Sequence, residues 1–262
     1  MFPLKDNIPT DRLPVVTIAL IVLNVLVYVL LQRPGSLFGD PDQGVIIDWG
    51  AIPYELTHLG DQCAAVAGPG GQLACEGQPG VSGTAPDQPP TLLTVFSSMF
   101  LHGGLLHLGG NMLFLWIFGN NVEDAMGRVR FVAFYLLGGI CALVLQTAIG
   151  PDEAVPTVGA SGAIAGVLGG YILLYPRARV VTLIFIVLFF TIIEIPATLV
   201  LGFWFLTQVA YGALDLTNPT GGGGGVAYFA HIGGFVFGLL AVKLFTTREK
   251  DLPFGGAKYP VY

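Results

Sequence analysis

From Leu13 to Leu31 the chain carries no charged residue. The run is about the ~20 residues that a helix needs to cross a ~30 Å hydrocarbon core, and no other feature limits the fold as much. Similar segments follow at roughly Leu105 to Phe118, Phe131 to Ile149, Ser161 to Tyr175, Ile195 to Ala213 and Tyr228 to Phe245. With 53% hydrophobic and 11% charged residues, the chain lies outside the usual balance of a soluble domain. The expected fold is therefore all-α, a polytopic membrane bundle of six transmembrane helices. The first run reads as a retained helix and not a signal peptide. It is longer than a typical h-region, and Gln32-Arg33-Pro34-Gly35 offers no small-x-small cleavage pattern.

With six crossings, Lys5, Arg12, Arg128, Arg130, Arg177, Arg179, Lys243, Arg248, Lys250 and Lys258 all fall on one side, and of the 11 Lys and Arg residues only Arg33 falls on the other. The positive-inside rule then makes both termini cytoplasmic. The expected organisation is a cytoplasmic N-terminus over 1–13, a membrane domain over 14–246 and a cytoplasmic tail over 247–262. Within the membrane domain, residues 33–91 form a long extracytoplasmic loop. The apolar stretch from Val180 to Ile193 is short and is followed by Glu194 and Pro196, so it is expected as an interfacial or folded-back cytoplasmic helix and not as a seventh crossing. The net charge of −6 says little about partners when charges are so sparse, and without a basic run nucleic-acid binding has no support.

The loop is acidic and rich in Gly, Pro, Gln and Ala, which points to irregular structure rather than a second folded domain. Cys63 and Cys75 both lie in it. A disulfide would pin a small sub-loop on the side where such bonds persist. Two free thiols are the alternative, and a metal site with His58 is a remote third. Cys141 lies in the third span and reads as packing.

Strongly polar groups at membrane depth are costly and tend to line a site. His107 and Asn111 lie in the first turns of the second span, Ser161 opens the fourth and His231 stands near the start of the sixth. These three spans run in the same direction, so the polar groups share one depth, toward the outer leaflet. His107 and Asn111 are four apart and share a helix face. His102, five residues before His107, turns to another face and is expected to brace the loop.

Gly162, Gly166 and Gly170 recur every four residues, as do Ala230, Gly234 and Gly238. Small-xxx-small stripes let helix backbones pack in near contact, which would bring His231 within reach of Ser161. A serine hydroxyl needs a nearby base to become a nucleophile, and a neutral imidazole supplies one. The N–H of Ser161 at a helix start, with the side chains of His107 and Asn111, offers donors for an oxyanion. Singly, each residue has a plainer reading: a packing serine, a satisfied structural histidine, a stripe that only packs helices.

Taken together, the chain resembles the rhomboid family of intramembrane serine proteases. The resemblance runs from the first span to the sixth. It rests on H-x4-H-x3-N at His102, His107 and Asn111, G-x-S-G from Gly159 through Ser161 to Gly162, and Ala230-His231 followed by Gly234 and Gly238. It implies Ser161 as nucleophile and His231 as general base and acid, with no third carboxylate. Ser161 N–H, His107 and Asn111 would be the oxyanion donors. It further implies single-pass membrane-protein substrates entering from the lipid bilayer, and no metal or organic cofactor. A bacterial plasma membrane, with the site toward the outer face, is the expected location.

The chain departs from the family pattern in three places. Leu93-Thr94 stand about where many members carry Trp-Arg, Ala165 stands where some have a tyrosine that stacks on the histidine, and the first loop is long. Tyr228, one turn before His231, is the candidate to orient the ring. The run Gly221 to Gly225 reads as a mobile cap or as a plain linker. Of the other function classes, a transporter would need charges deep in the spans, an inactive relative would have lost Ser161 or His231, and a zinc protease would show H-E-x-x-H. Glu123 and Asp124 read as a helix-end network on the side opposite Ser161.

Overall fold

A computed structural model describes residues 2–33, 40–66, 73–86, 88–186, 189–217 and 225–248. In chain order the elements are β1 (Phe2–Asp6), α1 (Val15–Gln32), α2 (Gln43–Trp49), α3 (Pro53–Thr57), β2 (Cys63–Ala65), β3 (Leu73–Cys75), α4 (Thr91–Phe100) and α5 (Leu105–Met126). They continue as α6 (Arg128–Ile149), α7 (Ser161–Leu174), β4 (Arg179–Ile186), β5 (Phe189–Pro196), α8 (Ala197–Thr217) and α9 (Tyr228–Phe245). The chain is mostly helical. Among the described residues, α1, α6, α8 and α9 are long and apolar enough to cross a membrane, and α4 with α5, bent by 78° at their junction, makes a fifth candidate. At 14 residues α7 is shorter. At ~1.5 Å per residue it falls short of a ~30 Å core, and it is buried from Gly162 to Tyr171 by its neighbours.

Glycine sets how those neighbours approach. A Cβ on Gly234 of α9 would overlap the carbonyl oxygen of Gly162, and one on Gly238 would overlap that of Gly166. The two stripes face each other backbone to backbone, as small-xxx-small packing requires. Gly233, on the adjacent face of α9, lies against Cys141 O and Leu145 of α6, where an added Cβ would stand 2.9 Å from each. Consecutive glycines thus press α9 onto two helices at once.

At the end of the bundle away from Ser161, polar side chains stitch segments together. Glu123 near the end of α5 accepts bonds from Val16 N (3.0 Å), Thr17 N (2.8 Å) and Thr17 Oγ1 (2.8 Å), capping α1 from outside its own sequence. Asp124 accepts from Asp11 N at 2.8 Å. Asp6 accepts from Asn121 Nδ2 at 2.8 Å and from the Tyr171 hydroxyl. The second span, expected to stop at Phe118, therefore continues to Met126, because the N-terminal segment covers Asn121, Glu123 and Asp124 and gives them partners.

The same end holds a three-stranded antiparallel sheet, β1-β4-β5, which the all-α expectation did not include. Within the stretch from Val180 to Ile193, β4 and β5 pair as antiparallel strands in place of the expected interfacial or folded-back helix. Their residues are rich in β-branched types, which suit a pleated surface better than a helix. β1 adds the third strand, pairing Asp6 with Val180 and Phe2 with Leu183.

Between α1 and α4, the segment expected to be irregular carries α2, α3 and a β2-β3 hairpin. Cys63 and Cys75 pair across the hairpin and are joined by a disulfide. With Ile52 and Tyr54 they form a small buried cluster. This unit is fastened to the stretch leading into α7: Ala51 and Thr157 exchange backbone bonds of 3.2 and 2.8 Å, and Tyr54 N donates to Glu153 O at 3.1 Å.

Candidate functional site

Gly159 begins the site. Its φ of 129° is a conformation that side-chain-bearing residues rarely adopt, and an added Cβ would lie 2.9 Å from His107 Nε2 and 3.3 Å from Ser161 Oγ. The turn it makes, held by Gly159 N donating to Ser98 O at 2.9 Å, delivers Ser161 as the first residue of α7. At that position the backbone N–H has no acceptor within its own helix.

His231 stands on the first turn of α9. Its Nε2 is 2.8 Å from Ser161 Oγ, and its Nδ1 is 2.8 Å from Gln208 Oε1 on α8. The indole of Trp204, one turn before Gln208, lies at 5.7 Å from the imidazole, ring centre to ring centre, tilted by 40°. Tyr228 does not orient the histidine; its ring stacks on Tyr211 at 5.6 Å instead. Behind His231, Gln146 Oε1 of α6 accepts from Ala230 N at 3.2 Å, satisfying one of the free donors at the start of α9.

The second span supplies the remaining expected residues. His107 borders Gly159, and its Nδ1 accepts from Gly103 N at 3.3 Å, so the ring edge carrying Nε2 faces Gly159. Asn111, one turn along α5, is 7% exposed, and its Nδ2 has no hydrogen-bond partner. His102 is fully buried in the bend between α4 and α5. Gln32 at the end of α1 clamps its backbone, donating to His102 O and accepting from His102 N, both at 2.9 Å. The His102 ring meets His107 edge-on at 5.1 Å. Gly162 contacts Ala142 and Ala230, in the helix packing beneath the site.

Gln208 was missed from the sequence. It lies in no motif, and its one signal is an amide beside Thr207 in a mostly apolar stretch, Phe203 to Val209. Gln32 was overlooked as a helix end. Gly221 to Gly224, most of the segment read as a cap, lie outside the described residues. Among the described residues, no group of three or more His, Cys, Asp or Glu could hold a metal ion.

A family model described as the Rhomboid domain matches residues 89–248. Among similar proteins, Rhomboid protein 1, mitochondrial, of Saccharomyces cerevisiae is 31% identical over 56% of this chain and 40% of its own length. Presenilin-associated rhomboid-like protein, mitochondrial, of Mus musculus is 32% identical over 57% of this chain and 36% of its own. RHOMBOID-like protein 4 of Arabidopsis thaliana is 32% identical over 56% and 32%. The chain thus spans well under half the length of these relatives. Two of the three are mitochondrial by name, which runs against the expectation of a bacterial plasma membrane.

Proposed function

The chain belongs to the rhomboid family, and on that footing we propose that it is an intramembrane serine endopeptidase that cleaves transmembrane segments of single-pass proteins with Ser161 and His231. The observation that carries the reading is the 2.8 Å approach of His231 Nε2 to Ser161 Oγ at the meeting point of two glycine-packed helices. That distance lets the imidazole take the hydroxyl proton as the oxygen attacks a scissile carbonyl. The imidazolium then protonates the leaving amine, and a water repeats the sequence in reverse to free the acyl group.

The tetrahedral intermediate carries a negative oxygen, and preorganised donors aimed at it are the largest single source of rate in such sites. Ser161 N–H, Asn111 Nδ2 and His107 Nε2 are the donors in this proposal. Asn111 supports it most directly, since a buried amide nitrogen without a partner costs about 1–3 kcal/mol and is worth keeping where a ligand will use it. His102 positions His107 from behind, and Gly159 keeps the space between His107 and Ser161 open.

In this reading the membrane domain is a six-helix bundle over residues 14–246, with α5 completing the second crossing and the short α7 enclosed by the rest. Both termini lie on one side of the bilayer, with the cations of the helix ends, and the site opens toward the other.

The test is covalent labelling of the purified full-length protein by a serine-reactive fluorophosphonate, alongside cleavage of a single-pass membrane protein co-reconstituted in liposomes. Wild type should label and cut. Ser161→Ala should do neither, and His231→Ala should lose at least ~10³-fold of the rate. Equal labelling of all three would overturn the assignment.

A further inference from the structure

A serine–histidine pair without a carboxylate leaves one question of chemistry open: what holds the imidazole in the form that can accept a proton. Nε2 has a free lone pair for Ser161 only when the ring proton sits on Nδ1. An acceptor at Nδ1 fixes that form, and the residue standing there is Gln208, 8% exposed, with Oε1 at 2.8 Å.

A glutamine could present either its oxygen or its NH2 to the ring, and the far end of this one decides which. Its Nε2 lies 3.3 Å from Trp204 O and 3.1 Å from Thr207 Oγ1. The Thr207 hydroxyl already donates to Trp204 O at 2.6 Å, so toward Gln208 it can only accept. Turning the amide over would set Oε1 against two acceptors and its NH2 against Nδ1. The oxygen therefore faces His231, Nδ1 carries the proton, and the Nε2 lone pair points at Ser161 Oγ, 2.8 Å away.

From this geometry we infer that Gln208 is the positioning residue of the site, locking His231 in its Nδ1–H tautomer and aiming Nε2 at Ser161. The inference rests on the reading of Ser161 and His231 as nucleophile and base. An amide does the orienting part of a triad carboxylate's work without placing a charge in low dielectric, where an ionised side chain is costly. The lever is carried by α8, a helix separate from both members of the pair. Thr207 Oγ1 and Trp204 O act through Gln208 by fixing its amide, and the Trp204 indole walls the imidazole directly.

Full-length protein in detergent micelles, labelled with a fluorophosphonate and observed by imidazole ¹⁵N resonances, tests the role. The wild-type His231 signal, identified by its loss in His231→Ala, should report a protonated Nδ1. Gln208→Met keeps the length and removes the acceptor. It should slow labelling by roughly 10- to 100-fold, as loss of an orienting partner does at other histidines, and turn the ¹⁵N signal into a tautomer mixture. Gln208→Glu restores an acceptor and should label within a few-fold of wild type.

A wild-type spectrum with the proton on Nε2 overturns the inference without any variant. So does wild-type labelling by Gln208→Met, or equal slowing by the Met and Glu variants, which would mark a packing role. If Ser161→Ala and His231→Ala also label like wild type, the pair itself fails. If only Gln208→Met does, the pair stands and Gln208 falls.

Discussion

Both ends of the helix bundle bury polar side chains, and they use them in opposite ways. At the end away from Ser161, Glu123, Asp124, Asp6 and Asn121 bond to backbone and side chains of distant segments, and α1 and β1 are held by them. At the end that carries Ser161, Asn111 Nδ2 has no hydrogen-bond partner, and the side-chain hydrogen bonds of Ser161 and His231 are to each other and to Gln208. The first set ties distant segments of the fold together, although Asn121 Oδ1 itself has no hydrogen-bond partner. The second set bonds mainly within itself and leaves the Asn111 amide with a free donor.

Substitutions at the two ends should separate rate from stability. After the serine and histidine themselves, the largest effect is expected for Asn111→Ala: a loss of ~10²–10³ in kcat, as for removal of one oxyanion donor, with the unfolding midpoint unchanged or slightly raised because an unpaired buried amide is gone. Kinetics with a reconstituted substrate and thermal unfolding of the same preparation check both halves. A fall in stability with kcat intact would erase the contrast.

Glu123→Ala is the mirror experiment. It strips α1 of its cap and should cost about 1.5–3 kcal/mol, the range for hydrogen bonds to a charged group, read as a lower denaturation midpoint. Labelling per folded molecule should not change. A large loss of labelling in fully folded protein would mean that the Glu123 network reaches the site.

The smallest effect concerns the disulfide-bound sub-loop. Burial pushes the Glu55 carboxyl above its ordinary value of 4.5, and the bond from Cys63 N opposes the shift without cancelling it. A raised carboxyl binds its proton more tightly when folded, so this contribution to stability is present below the ordinary value and is lost as pH rises through the raised one. Protection of the Cys63 amide from hydrogen exchange, corrected for intrinsic rates, should therefore fall across that window. Glu55→Gln should flatten the dependence, and an identical slope in the variant would remove Glu55 as its cause.

What was legible in the sequence and what was not follow the same division. Ser161, His107, Asn111 and His231 stand out because a polar group in an apolar run is conspicuous, and their glycine stripes have a period that survives without a structure. Gln208 has no such pattern, because its meaning depends on a ring from another helix. The β4-β5 pair was read as a helix since an apolar run without periodicity suits either form, and its third strand comes from residues 2–6, far away in sequence. The end of α5 was misplaced for a related reason. Glu123 and Asp124 were read as a helix-end network, but their partners, Asp11, Val16 and Thr17, lie more than a hundred residues earlier and only the fold brings them there. Cys63 and Cys75 were noticed, but only the hairpin register shows that they face each other.

The glycine seam between α7 and α9 has a consequence for variation. Where main chain rests on main chain, no side chain is left to lengthen or shorten, so the spacing between Ser161 and His231 behaves as a fixed gauge. A methyl group at Gly234 would collide with the Gly162 carbonyl and push the histidine's helix away from the serine's. Variation is thereby directed to parts that can be altered without resetting the gauge, such as the exposed apolar surface of α8 at Leu199, Phe203 and Leu206 and the disulfide-bound sub-loop.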